Sequence, residues 1–216
     1  MTDSKRREIP DGMIFDIDGT LWDCTDAAAA GFTRVLKDAP ESGRTVTGDD
    51  LKKLFGKTMD AISESLLPGC PLERRREIFA HAVEEEERAI RKFPANPYPG
   101  AKETLEFLAA RMPLFIVSNG QAGYPELFLE KTGFEPLFTA HFCPTDNGKT
   151  KAGNIAHICE TYGLSNAFYV GDTLLDESSA REAGTAFIHA AYGFGEAESP
   201  DLVIRSIREL TELWSF

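Results

Sequence analysis

Two aspartates stand one residue apart where an apolar run ends, in Gly12-Met13-Ile14-Phe15-Asp16-Ile17-Asp18-Gly19-Thr20. Unpaired carboxylates are costly to bury, so such a pair needs a compensating cation. Two later apolar runs end in polar clusters. Pro113-Leu114-Phe115-Ile116-Val117 runs into Ser118-Asn119-Gly120, and Ala167-Phe168-Tyr169-Val170 runs into Gly171-Asp172-Thr173, with Asp176 four residues beyond Asp172. Lys149 and Lys151 lie between them, just ahead of a helical pattern. A hard divalent cation such as Mg²⁺ takes oxygen ligands and is usually held through one or two carboxylates plus a substrate phosphate. Asp16 and Asp172 fit that requirement. A carboxylate nucleophile, a divalent cation, a lysine and a hydroxyl donor together make an inventory for phosphoryl transfer, in which positioning and charge stabilisation dominate.

These residues can meet only if the elements carrying them align. The runs at 12–17, 113–117, 167–170 and 185–188 are short, apolar and bounded by turn residues, as strands of a parallel sheet buried on both faces are. Helical patterns over 101–110, 125–132, 153–162 and 176–183 alternate with them, which predicts a Rossmann-like, doubly wound α/β sheet over residues 1–22 and 96–216. In such a sheet the carboxyl ends of the strands face one crevice near the switch in strand order. The tail, residues 201–213, is expected to add one more helix.

Residues 23–95 lack strand-like runs and show helical spacing instead: Phe32, Val35 and Leu36, then Leu51, Leu54, Phe55, Met59 and Ile62, then Ile78, Phe79, Val83 and Ile90. They predict a small α-helical unit inserted after the first strand. The proline-rich return, residues 93–100, makes a stiff connector, and with a second connector at residues 23–25 it would make a hinge. The acidic run Glu84–Glu87 reads as a solvated helix face. Within the unit, Lys57 and Thr58 follow Gly56, where they could be presented to an anionic substrate, but a solvated helix face is the favoured reading.

The chain has 216 residues, of which 42% are hydrophobic and 27% charged, an ordinary globular composition. Its 23 basic and 35 acidic residues leave a net charge of −12, which argues against a nucleic-acid surface. An anionic ligand must therefore be held by local groups. No apolar stretch follows the basic start at signal-peptide length and none spans a membrane, so a cytoplasmic protein with no membrane partner is expected. Cys24, Cys70, Cys143 and Cys159 show no CxxC pair and read as reduced and structural. His81, His141, His157 and His189 read as structural or exposed.

Taken in order, Asp16-Ile17-Asp18-Gly19-Thr20, Ser118-Asn119, Lys151 and Gly171-Asp172-Thr173-Leu174-Leu175-Asp176 resemble the four motifs of the haloacid dehalogenase superfamily, in the branch similar to phosphoglycolate phosphatases. The resemblance extends over nearly the whole chain, including a helical cap after the first motif. It implies that Asp16 is a nucleophile forming an aspartyl-phosphate and that Asp18 protonates the leaving oxygen and then deprotonates the attacking water. It implies Mg²⁺ held by Asp16, the Asp18 carbonyl and Asp172, with Asp176 a direct ligand or one step behind. Ser118 and Lys151 would bind the phosphoryl group, helped by the backbone N–H groups of Asn119 and Gly120. Lys151 is preferred over Lys149 because it directly opens the helical pattern. An acid at position 18 favours phosphoester hydrolysis over dehalogenation. The implied substrate is a small phosphorylated metabolite. A sugar-phosphate mutase similar to β-phosphoglucomutase, or a phosphate-binding protein without turnover, remain alternatives.

Overall fold

The apolar run before Asp16 is a strand, β1 (Gly12–Phe15). In the computed structural model, which describes residues 8–215, it leads into four helices, α1 (Thr25–Leu36), α2 (Gly48–Lys52), α3 (Met59–Leu66) and α4 (Leu72–Lys92). There follow α5 (Ala101–Ala109), β2 (Leu114–Val117), α6 (Tyr124–Thr132), β3 (Ala140–Phe142), α7 (Pro144–Asn147), α8 (Lys151–Tyr162), β4 (Ala167–Gly171), α9 (Leu174–Glu182), β5 (Ala186–Ala190) and β6 (Leu202–Ile204). The basic start of the chain, residues 1–7, lies outside the described residues.

The strands form one sheet in the order β3-β2-β1-β4-β5-β6, and every neighbouring pair is parallel. This is the doubly wound α/β architecture that the alternation of runs predicted. Successive strand residues point to opposite faces. Met13 and Phe15 of β1 therefore pack with Leu105, Leu127 and Phe128 on one side, while Ile14 packs with Ile155, Ile158 and Ala180 on the other. Covered on both faces, the strands have no polar side to show, which is why they read as unbroken apolar runs.

Two parts of the sheet depart from the sequence expectation. The tail is not a helix: it supplies the edge strand β6 and then a 3₁₀ turn over Ile207–Thr211. Its apolar residues at 202, 203, 204, 207 and 210 look helical in spacing, yet Leu202 and Ile204 alternate with the exposed Val203 as strand residues do. The other edge strand, β3, is three residues long and carries His141, too short and too polar to give a run.

Helices α1 to α4 build their own apolar cluster around Phe32, Leu36, Leu51, Ile62, Leu66, Ile78 and Phe79. The Phe32 and Phe79 rings stack with centroids 5.8 Å apart. The two chain segments joining this unit to the sheet pair with each other: Tyr98 N–H donates to Leu21 O at 3.0 Å and Asp23 N–H to Asn96 O at 3.1 Å. The expected hinge is thus a short two-stranded strap. Gly31 sets the approach of α1 to α4, because a Cβ there would lie 2.4 Å from Glu86 Cα.

That approach also corrects the reading of the acidic run. Glu84 and Glu87 face solvent, but Glu86 falls in the stripe of Ile78, Phe79, Ala82, Ala89 and Ile90 and is 4% exposed. Burial, aided by the charges of Asp18 and Glu87, pushes its carboxyl up to about 8 from an ordinary 4.5.

Two predictions follow from this packing. Gly31→Val drives α1 away from α4 and costs about 3 kcal/mol in chemical denaturation; a loss below about 0.5 kcal/mol would show that the helices do not meet there. For Glu86, both folded and unfolded states hold the proton below pH 4.5. Between 4.5 and about 8 the unfolded state releases it while the folded state keeps it, so stability falls as pH rises and levels off above 8. Glu86→Gln is therefore more stable than the parent at pH 8, by up to about 4 kcal/mol, and gains little at pH 4.5; melting curves at the two pH values check this.

Candidate active site

The strand ends bring the motifs together. The Asp16 N–H donates to Val170 O at 2.9 Å where β1 and β4 finish side by side, and the Ser118 N–H donates to Phe142 O at 3.2 Å where β2 meets β3. The chain runs from β1 to β2 and β3 on one side and returns to β4 on the other, so Asp16 and Asp172 flank the switch in strand order.

Lys151 opens α8, whose N-cap is Thr150. The positive end of a helix disfavours an ammonium, yet Lys151 Nζ is buried between two carboxylates, 2.9 Å from Asp16 Oδ1 and 2.6 Å from Asp176 Oδ1. Burial pulls its pKa down, and the attraction of Asp16 and Asp176 outweighs this and raises it. Lys149 is exposed and its backbone N–H bonds Asn147 Oδ1. Of the two lysines, only Lys151 faces the crevice.

Asp176 is held from every side. Its Oδ1 also accepts from Tyr169 at 3.3 Å, and its Oδ2 accepts from the N–H and hydroxyl of Thr173, the N-cap of α9, at 3.0 and 2.6 Å. Asp172 is treated differently. Its Oδ2 accepts the Phe194 N–H at 2.7 Å, whereas its buried Oδ1 has no hydrogen-bond partner among the described residues. Burial and repulsion from Asp176 push Asp172 up to about 7. Burial likewise raises Asp16, against the pull of Lys151.

One oxygen from each of Asp16, Asp172 and Asp176 can be chosen so that all three lie within 4.8 Å of one another. Three buried carboxylates against one ammonium leave negative charge uncompensated, and Asp172 Oδ1 is an acceptor with nothing to accept. The donor set is all oxygen, which fits a hard divalent cation. Gly19 makes the approach possible: it has φ +76°, and a Cβ there would lie 2.2 Å from Asp172 Oδ2.

Asp18 points elsewhere. Its Oδ1 accepts from Tyr124 Oη at 2.5 Å, Trp22 Nε1 at 3.1 Å and Cys24 Sγ at 3.4 Å. Burial raises this carboxyl and the three donors lower it again, leaving it up at about 6. Trp22 also packs edge-on against Phe128, with ring centroids 5.0 Å apart. Ser118 is buried, and its Oγ accepts the Gly120 N–H at 3.2 Å, leaving the hydroxyl proton to donate to a ligand. That contact occupies the Gly120 N–H that was expected to bind phosphate. The Asn119 side chain reaches the helical unit and donates to Gly56 O at 2.9 Å. Of the four histidines, His189 is buried with Nε2 3.1 Å from Asp172 O.

Trp22, Cys24 and Tyr124 around Asp18, Phe194 on Asp172 and Tyr169 on Asp176 are the site's unforeseen members. Tyr124 could have been suspected, since it stands at a helix start six residues beyond Ser118. Phe194 acts through a backbone N–H, which no side-chain pattern announces.

The haloacid dehalogenase-like hydrolase family model matches residues 13–190. A phosphoglycolate phosphatase from Chromobacterium violaceum is 26% identical over 218 residues, spanning 93% of this chain and 95% of that protein. The phosphoglycolate phosphatase of Escherichia coli K12 is 26% identical over 233 residues, spanning 92% and 90%. Among solved structures, a predicted phosphoglycolate phosphatase from Haemophilus somnus superposes with a TM-score of 0.85 at 20% identity, covering 94% of this chain and 97% of that one. A haloacid dehalogenase-like family hydrolase from Streptococcus pneumoniae gives 0.80 at 20% identity, with the same coverage. With four separated motifs gathered at the switch point of a doubly wound sheet and the family model matching most of its length, the chain belongs to the haloacid dehalogenase-like hydrolases.

Proposed function

We propose that the protein is a Mg²⁺-dependent phosphatase acting on a small phosphomonoester of the phosphoglycolate type, through an aspartyl-phosphate on Asp16. The observation that carries this reading is the division of labour between two neighbouring carboxylates. Asp16 is clamped by Lys151 beside the partnerless oxygen of Asp172, while Asp18 sits apart in a cradle of three donors and is pushed up to about 6. Two acids whose surroundings differ in this way suit a nucleophile and a proton carrier.

In this reading an Asp16 carboxylate oxygen attacks phosphorus, and the bond to the ester oxygen breaks with its electron pair on that oxygen. Asp18 gives the ester oxygen its proton, so the alcohol leaves neutral. Water then attacks phosphorus of the acyl phosphate, Asp18 takes the water's proton, and inorganic phosphate departs with Asp16 restored. Lys151 holds Asp16 in line and offsets charge on the phosphoryl oxygens, and Ser118 donates its hydroxyl proton to one of them.

Asp16, Asp172 and the Asp18 carbonyl would hold the Mg²⁺. The four hydrogen bonds accepted by Asp176 give it a supporting place behind them. Bound there, the ion supplies positive charge to the phosphoryl oxygens. The helical unit, residues 23–95, acts as a cap that swings on the Leu21–Tyr98 strap and excludes water from the acyl phosphate. No helix among the described residues is long and apolar enough to cross a membrane, and the four cysteines form no disulfide; the reading is of a cytoplasmic enzyme, and the net charge of −12 supports a partner other than nucleic acid.

Phosphate release from an aryl phosphate is expected to require Mg²⁺, to stop with EDTA, and to fall by at least about 10³-fold in Asp16→Asn. A fully active Asp16→Asn variant would refute the nucleophile assignment. The proton-carrier role separates substrates. An alkyl ester needs its leaving oxygen protonated and an aryl ester does not, so Asp18→Asn lowers formation of the acyl phosphate from alkyl phosphates by about 10²- to 10⁴-fold more than from aryl phosphates. Tyr124→Phe removes a donor that favours ionised Asp18, so the alkaline fall in alkyl-phosphate kcat/KM moves to higher pH. Equal losses on the two ester types in single-turnover assays would overturn the assignment of Asp18.

A further inference from the structure

The site has one more buried carboxyl, which the chemistry above does not use. Glu86 comes from α4 and lines the partly open cavity between the helical unit and the sheet together with Asp16, Asp18, Ser118 and Tyr124. It is 4% exposed, and among the described residues no donor bonds it and no cation pairs with it. Most of its neighbours in that cavity already have an assignment, Gln121 and Lys57 excepted. Asp16 and Ser118 face the phosphoryl group, Tyr124 is spent on Asp18, and Phe32, Phe55, Met59 and Ile62 form an apolar wall. The cavity's volume is about 30 Å³.

Packing does not account for a carboxyl at this place. Gly31 brings the α1 backbone against the Glu86 backbone, which fixes the residue's depth. Its carboxylate oxygens border the cavity, where only water or a ligand can bring a donor, and an apolar residue would suit the stripe on α4 better. A group kept under those conditions is explained by a ligand that brings the missing donor.

Resting on the phosphatase reading but replacing phosphoglycolate by another small ester, we propose that Glu86 is a specificity-determining residue that binds a hydrogen-bond donor, a hydroxyl or an ammonium, on the leaving group of the phosphate ester. The leaving group is then of phosphoglycolate's size with a donor in place of its carboxylate. A carboxylate there would stand among Asp16, Asp18 and Glu86, and the cavity's one cationic lining residue, Lys57, has its side chain in solvent. Burial and the charge of Asp18 push Glu86 up to about 8, so an ammonium would also relieve the cost of ionising it.

Four esters of matched size test this: 2-hydroxyethyl phosphate, 2-aminoethyl phosphate, propyl phosphate and phosphoglycolate, assayed for kcat/KM with an aryl phosphate alongside. The parent is expected to prefer the hydroxyl or the ammonium ester, or both, over the propyl ester by roughly tenfold or more, with phosphoglycolate below them. In Glu86→Gln, whose amide oxygen still accepts, the hydroxyl-to-propyl ratio stays within about threefold. The ammonium-to-propyl ratio drops at least about tenfold, and phosphoglycolate rises relative to propyl. A parent that prefers phosphoglycolate, or ammonium-to-propyl and phosphoglycolate-to-propyl ratios that Glu86→Gln leaves unmoved, would overturn the assignment of Glu86 alone. Failure of every ester, the aryl phosphate included, would overturn the phosphatase reading and this one with it.

Discussion

The buried ammonium of Lys151 is the contact on which the arrangement depends. It ties Asp16, at the end of β1, to Asp176, in the first turn of α9, with distances of 2.9 and 2.6 Å. Breaking a buried pair by removing one partner is far costlier than losing a surface ion pair, so the three elements cannot drift independently. Yet one ammonium does not balance three carboxylates in the same crevice. The surplus appears at Asp172, whose Oδ1 has no partner. A site built this way has charge left for a cation and does not need the protein's overall field, which at −12 works against an anionic ligand.

Much of this was legible in the sequence because the strands are buried on both faces. A strand such as Leu114–Val117 must be apolar throughout, and the first polar residue after it marks the sheet's carboxyl edge. The motif residues are those first polar residues, so pattern alone located Asp16, Ser118 and Asp172. The edges of the sheet were less legible for the same reason inverted. Half-exposed β6 and three-residue β3 lack the continuous run, and the 202–210 spacing suited a helix equally well.

The partners of the motif residues were hidden by distance. Tyr124 reaches Asp18 across 106 positions, and the contact of Asn119 with Gly56 spans 63. Phe194 holds Asp172 through its backbone alone. Glu86 was hidden by its neighbours: in a run of four glutamates the composition says solvent, and only the helical phase set by Gly31 against α4 decides which one turns inward.

Cap and core are joined by contacts of two kinds, and the difference bears on how the site opens. The strap at Leu21–Tyr98 is backbone to backbone and survives a rotation that keeps the two segments paired. The Asn119 to Gly56 bond joins two residues of the cavity lining, one from each side, and would break if the cap lifted. Glu86, deep on α4, then moves with the cap while Asp16 and Lys151 stay with the sheet. Under the proposed cap motion, chemistry stays with the sheet and leaving-group choice with the helical unit, so that a substrate that satisfies Glu86 would close the cap over Asp16 and one that does not would leave the site open to water.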